Sequence, residues 1–591
     1  MANIKNFISD QWGLARAVAP TVFDAIRRGQ MFNPQCELTP VDPEVDFEYD
    51  VHIPVADGFD LTACVFRSKK AMAANEPMPV VMCAHPYDNR MMPALKRTPL
   101  NGPPQQYRVI PQAGRPRFSE VTSWEAPDPN FWVPAGYAVV NLNMPGYGSS
   151  EGPPRLSAEY QAKCFYEAIE WVAARDWCTG DIGLNGVSYL AISQYHVATC
   201  QYYGGPPPSL KAISPWEGIA DTYRDLLFCG GVRETGFPSF WWETEVKPVI
   251  NVSIEEFFRL GEKTIAQHIV EHPFYDEYWR SMVPKLDEID LPMLMCASFA
   301  DHGLHTRGSL DAFMKCRNEN KWLYTHRTGK WDSYYSPEVQ ELTRKFFDCF
   351  VRGEKDNGFL DNPRVRLEVR SNRETIYEVR DEAAWPIEQT EYRKLFLNAA
   401  SRELNDTTLE KADTVTYKSD STGVSFTHTF EQATEITGYM KVVLWAEARP
   451  TNANGPVPKD MVVFVTLDKL DLDGNFVPFY GCVGNKEDTV SRGCIAASRR
   501  QLDTDASTDW NPILAHQNDQ YLKPGEVVKL EIGLWPSSTR FEAGESIRLR
   551  VAPSELVARR PFKKDSSPNT GIHVIHCGED HESFLQIPIV E

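Results

Sequence analysis

Between residues 79 and 198, short apolar runs alternate with stretches of helical spacing, and this alternation narrows the fold more than any other property of the chain. Pro79 to Ala84 (PVVMCA) and Ala138 to Leu142 (AVVNL) are unbroken apolar runs of strand length, the pattern of strands buried on both faces. Ser157 to Ala174 then puts Tyr160, Cys164, Ala168, Trp171 and Val172 on one helical face. Ile182 to Leu184 reads as another short strand, and an apolar helix pattern follows from Ala191. Together these predict a mostly parallel sheet covered by helices on both faces, an α/β architecture.

The rest of the chain divides around that unit. A chain of 591 residues exceeds one compact core, so two or three domains are expected. Residues 1–44 read as an N-terminal helical segment, and Asp46 to Val55 and Asp60 to Phe66 as strands. From Trp216 to about Leu286 the sequence is dense in aromatics and helix formers, which predicts a helical insertion over 216–286. Strand texture returns at Pro292 to Ala297 and Lys321 to Thr325, and a helix runs from Pro337 to Val351, ending near Gly353. The α/β unit is therefore expected over 45–215 and 287–358. Beyond it, short alternating runs separated by Pro, Gly, Asn and Asp predict an all-β sandwich or jelly roll over 359–591.

Composition excludes some partners. The formal net charge of -20 disfavours nucleic acid and anionic membranes, whose phosphates demand a basic face. The 13 cysteines form no C-x-x-C pair, which reads as reduced thiols in a cytoplasmic protein. Met1 to Phe32 interleaves Phe7, Trp12 and Val22 with Asp10, Arg16 and Arg27, and so lacks the apolar core of a secretory signal. No stretch reaches the roughly 20 apolar residues of a membrane helix.

One local string carries chemistry. In Leu184-Asn185-Gly186-Val187-Ser188-Tyr189-Leu190-Ala191 a serine stands between a strand and a helix, with small residues two before and three after. This fits a nucleophile elbow, a turn so tight that large flanking side chains would collide with backbone. A serine hydroxyl needs a base, and the base an orienting acid, each at the end of a later strand. Asp301, just past the Pro292–Ala297 strand, is the expected acid, and His326, closing the Lys321–Thr325 strand, the expected base. His302 and His305 compete for the base but lie near Asp301 in sequence and on its loop. The N–H of Tyr189 is one expected oxyanion donor, and Tyr87, in His85-Pro86-Tyr87-Asp88, offers a phenolic O–H as the second. Phe240, Trp241, Trp242 and Trp279 are the expected substrate-facing aromatics of the insertion. No metal and no cofactor are expected, since Asp301, His302 and His305 lack a further cluster at ligand spacing. Each of these residues also fits a plainer role: a structural serine, a loop cap, a strand-end histidine, an aromatic plug.

The combination resembles the cocaine esterase and X-prolyl dipeptidyl-peptidase (peptidase S15-like) family of hydrolases. The resemblance rests on Gly186-Val187-Ser188-Tyr189-Leu190-Ala191, on Pro86-Tyr87-Asp88, on Pro145-Gly146-Tyr147-Gly148-Ser149-Ser150-Glu151-Gly152, and on Pro524-Gly525-Glu526 with Leu534-Trp535-Pro536. It implies an α/β-hydrolase sheet with a helical cap, followed by a jelly-roll domain, and a role for the Tyr87 hydroxyl in the oxyanion hole. Two departures stand out. Ala191 replaces a glycine, and Gly329-Lys330-Trp331-Asp332-Ser333 stands where the family has G-P-W-S-H, so Thr325-His326-Arg327-Thr328 is the alternative source of the histidine. The implied activity is a serine hydrolase cleaving a small ester or amide through an acyl-enzyme. An acyltransferase, or an X-prolyl dipeptidyl peptidase holding a free amino terminus on Glu243 or Glu245, would use the same residues. A non-catalytic ligand-binding protein on the same scaffold is the alternative of another class. The expected partner is a small-molecule substrate, and a homo-oligomer is compatible with the family.

Overall fold

The computed structural model describes residues 35–93, 114–452, 454–482, 485–557 and 561–591, with Tyr107 and isolated positions before residue 35. The N-terminal helical segment expected over 1–44 lies largely outside the described residues.

The first half is built on one mixed sheet. Its strands are β1 (Val45–Pro54), β2 (Asp60–Ser68), β3 (Met78–His85), β4 (Ala138–Asn143), β5 (Cys178–Val187), β6 (Leu210–Trp216), β7 (Met293–Ser298), β8 (Lys321–His326), β9 (Val365–Arg370) and β10 (Ile376–Glu382). They lie in the order β1-β2-β4-β3-β5-β6-β7-β8-β9-β10. From β4 to β9 every neighbour is parallel, and β1, β2 and β10 join antiparallel at the two edges. Every residue of β4 and of β7 is buried, which accounts for their unbroken apolar sequence.

The covering helices start where the sequence supplies caps. α1 (Ala158–Ala173) is capped by Ser157, whose hydroxyl accepts the Tyr160 N–H, and Glu159 sits in its positive first turn. α2 (Tyr189–Ala198) follows β5 directly. α3 (Thr306–Lys315) follows the loop after β7, and α4 (Lys330–Tyr334) the loop after β8. α5 (Pro337–Phe350) has proline at its first position and Ser336 as its cap.

Two strands depart from the sequence reading. β6 was not legible as a strand, because Lys211, Ser214 and Pro215 interrupt its apolar run; pairing with β5 and β7 buries it nonetheless. The Val365 run, read with the C-terminal strands, pairs parallel with β8 and extends the first sheet. Between β6 and β7, residues 217–292 form short helical segments; the longest α-helix is Ile265–Glu271, and Phe237–Trp241 runs on through wider and tighter turns to Val249.

The C-terminal half is a β domain. Its long strand β11 (Thr434–Arg449) pairs antiparallel with β13 (Val528–Phe541) and β15 (Phe584–Val590), while β12 (Val462–Leu470) pairs with β14 (Ser546–Ala552) in a second sheet. Leu444, Val463, Leu530 and Leu549 meet in the core between them. The two halves are joined by buried polar bonds. Arg370, at the end of β9, pairs with Thr539 of β13 and donates to Ser537 Oγ (2.6 Å), Ser538 O (3.2 Å) and Phe299 O (3.0 Å). His302 Nε2 lies 3.0 Å from the Pro536 carbonyl oxygen.

Candidate active site

The turn at Ser188 joins β5 to α2. Ser188 takes φ 62° and ψ −114°, a conformation that costs a non-glycine residue of order 1–3 kcal/mol and persists only where the surroundings enforce it. Gly186 makes the turn feasible: a Cβ there would fall 2.6 Å from Cβ of Leu190. Ala191, in place of the family glycine, is fully buried and fits without displacing the turn. Tyr189 is the first residue of α2, so its N–H has no acceptor within the helix and is free to point at a developing oxyanion.

The residue on Ser188 is His305. Its Nε2 lies 3.1 Å from Ser188 Oγ, and its Nδ1 is in short contact with Oδ2 of Asp301. The chain from Asp301 to His305 is one turn: the Asp301 carbonyl accepts N–H bonds from Leu304 and His305. A four-residue step in such a turn returns to the same face, so closeness in sequence puts acid and base together instead of apart. The expected acid, Asp301, is thus brought to the imidazole that faces Ser188.

The expected base is not. His326 closes β8 as anticipated, but its Nε2 lies 2.9 Å from Oε1 of Glu217, its Nδ1 faces the Thr328 hydroxyl at 3.5 Å, and its ring stacks on Trp216. Glu217 follows β6, and this buried pair takes up the imidazole that the strand position alone had assigned to Ser188. The loop after β8 instead sends Lys330 to the acid and base. Its Nζ is 3.1 Å from Asp301 Oδ2 and 2.9 Å from His305 Nδ1.

Charge around these groups is finely opposed. Burial alone would raise Asp301, but Lys330 and His305 hold its carboxyl well below the carboxylate range. His305 is pushed down by burial and then by the Lys330 ammonium, against the pull of Asp301 and Glu217. Burial would lower Lys330, yet Asp301, Glu217 and Glu125 raise it and keep it charged. Glu125, whose Oε1 accepts from Trp331 Nε1 at 3.1 Å, is raised to about 8, chiefly by burial. The carboxylates could surround a cation; the cation already there is the Lys330 ammonium.

Tyr87 lies beside this centre. Burial pushes its phenol well above the usual range, so it remains a neutral O–H donor, and Trp241 Nε1 approaches its oxygen at 3.4 Å. Ser188, Tyr87, Tyr189 and His305 together form the floor of a cavity of about 110 Å³. Its walls are Met144, Ile192, Leu226, Ile265 and Leu304 among others, and among the described residues no carboxylate lines it. Of the four aromatics expected to face substrate, Trp241 and Trp279 line the cavity. Phe240 and Trp242 do not; Trp242 packs on Phe257. Neighbours in a helical turn differ by about 100° in direction, so Trp241 alone of the three can point inward. Glu243 is paired with Lys247 at 3.2 Å; Glu245 accepts from Thr244 at 3.4 Å and lies close enough to Tyr87 and Glu125 to act on both by its charge.

With this geometry, likeness to known proteins is specific. The family model described as X-Pro dipeptidyl-peptidase (S15 family) matches residues 57–332, and that of the X-Pro dipeptidyl-peptidase C-terminal non-catalytic domain matches residues 357–586. A crystal structure of a CocE/NonD family hydrolase from Staphylococcus aureus superposes with a TM-score of 0.83 at 32% identity, over 95% of this chain and 100% of the other. The chain belongs to the S15-like family of hydrolases. Cocaine esterase of Rhodococcus sp. (strain MB1 Bresler) is 24% identical, over 93% of this chain and 100% of its own length. An α-amino acid ester hydrolase shares the fold at TM-score 0.62 and 15% identity. The resemblance read from the elbow, the Tyr87 loop and the C-terminal run is thus upheld along the whole chain. Within this family architecture, sequence reasoning weighed His305 as a competing base and set it aside, and it did not single out Lys330, Glu217 or Glu125. The i, i+4 spacing of Asp301 and His305 was the signal for His305.

Proposed function

We propose that the chain is a carboxylic ester hydrolase acting through an acyl-enzyme on Ser188, with His305 as base and Asp301 as the acid that orients it. The observation that carries this reading is the 3.1 Å contact between Ser188 Oγ and His305 Nε2, both of which line a cavity walled largely by apolar side chains. Ser188 Oγ attacks the ester carbonyl carbon while His305 Nε2 takes its proton. The negative charge that gathers on the carbonyl oxygen is met by the Tyr87 O–H and the Tyr189 N–H. His305 then returns the proton to the departing alkoxide, and water, deprotonated by the same nitrogen, releases the acid.

The cavity favours an ester over a dipeptide. A free α-ammonium group desolvated in this cavity would need a carboxylate partner; Glu243 is paired with Lys247, and none of the described lining residues is a carboxylate. The short helices of 217–292 act as the cap, with Trp241 and Trp279 against an apolar part of the substrate, and the β domain is taken as a jelly roll. All 13 cysteines are buried and none is disulfide-bonded, which supports a reducing compartment such as the cytoplasm.

The test is fluorophosphonate labelling together with hydrolysis of a short-chain aryl ester, by the wild type and by Ser188→Ala. Labelling and turnover should vanish together in the variant. Turnover that survives in a folded Ser188→Ala protein would remove the proposal.

A further inference from the structure

Lys330 opens α4 on the loop where the family's histidine is expected, and its side chain is buried. Burying an ammonium costs several kcal/mol in itself, so a lysine held here without charge partners would be expelled or neutralised. It has partners: Asp301 at 3.1 Å, with Glu217 and Glu125 beyond. It also approaches His305 Nδ1 to 2.9 Å. Two nitrogens, Nζ and Nδ1, thus converge on one carboxylate oxygen, Asp301 Oδ2. An ammonium 2.9 Å from Nδ1 either donates to that nitrogen or, where Nδ1 donates to Asp301, faces it as a second donor; in either case its charge disfavours a further proton on the ring.

We propose that Lys330 is a positioning residue for hydrolysis: seated against both Asp301 Oδ2 and His305 Nδ1, its ammonium holds the acid in place and opposes a second proton on the ring, so that the imidazole stays available to Ser188. The inference rests on the Ser188–His305 reading above. The groups facing His305 are Asp301 from its own turn, Lys330 from α4, Glu217 from the end of β6 and the Ser188 hydroxyl from the elbow. Glu125 and Cys482 act on it at one remove, through Lys330 and Asp301. The positive charge of Lys330 opposes protonation of the ring; the carboxylates favour it. The ammonium therefore lets the site keep a fully charged, orienting Asp301 without trapping His305 as an imidazolium. In a triad without such a lysine, only the carboxylate acts on Nδ1.

The experiment follows the rate of fluorophosphonate labelling against pH in the wild type and in Lys330→Met, with Ser188→Ala as control. Removing the ammonium should move the acid limb of the rate to higher pH by about one unit or more. An acid limb unchanged in folded Lys330→Met overturns the proposal. Should Lys330→Met not fold, the wild-type imidazole decides: the ¹⁵N resonance of His305, assigned by its loss in His305→Gln, should titrate below the ordinary histidine value of about 6.5. Titration at or above that value overturns it. Labelling that persists in Ser188→Ala would instead sink the Ser188 reading itself, whatever Lys330 does.

Discussion

Exchanging the two candidate histidines one at a time separates geometry from sequence position. In His305→Ala the base 3.1 Å from Ser188 Oγ is removed, while Tyr87 and the Tyr189 N–H stay in place. General-base catalysis contributes about 100- to 10,000-fold, and members of such a triad act as a unit, so kcat should fall by about 10,000-fold, or roughly 5 kcal/mol of barrier. In His326→Ala the loss is of another kind. The buried Glu217 carboxylate forfeits its 2.9 Å partner, and its second oxygen already has no hydrogen bond among the described residues. Leaving such a group unsatisfied costs about 1–3 kcal/mol, a fraction of the 5–15 kcal/mol that typically holds a domain together. His326→Ala should therefore unfold at lower denaturant and keep most of its kcat, since His326 does not contact Ser188. The assay is kcat for an aryl ester per folded molecule, with folding checked by circular dichroism and urea titration. A folded His326→Ala protein that loses turnover while His305→Ala retains it would refute the reasoning outright.

Two further outcomes follow from named groups. Tyr87→Phe removes one oxyanion donor and should lower kcat about 100- to 1,000-fold with little change in KM; an unchanged kcat in steady-state assays would take the phenol out of the oxyanion hole. Burial holds His85 and His573 at about 4, against about 6.5 for an unfolded imidazole. Between those values the unfolded chain binds more protons than the folded one, so stability present above pH 6.5 should drain away as pH falls toward 4; urea midpoints that stay flat across that window would contradict it.

How much of this the sequence disclosed depends on whether the signal was local. The elbow was legible because glycine, serine and the following apolar helix are dictated by a single turn. The buried strands β3 and β4 were legible because both faces demand apolar residues. β6 was not, since its lysine, serine and proline are tolerated only through neighbours that sequence does not show. Asp301 was found from its place after a strand. His305 was set aside because acid and base were expected on separate loops, an expectation about topology that one helical turn overrules. The Glu217–His326 pair joins residues 109 positions apart, and no spacing in the chain announces it. Of the aromatic run Phe240-Trp241-Trp242, composition marked the cluster but could not say which ring faces inward.

The grip of Arg370 and Pro536 on the loop that carries Asp301 and His305 bears on how such a protein can be taken apart. Phe299 and His302 flank the acid, and both are held by groups belonging to or paired with β13. A catalytic half expressed alone would lose the splint on its own acid–base turn. A chimera with a foreign β domain would stay active only if Pro536 to Thr539 travelled with the catalytic half. In breeding variants by recombination, the productive crossover points should lie outside this four-residue splice, and the two halves should be inherited as a matched set.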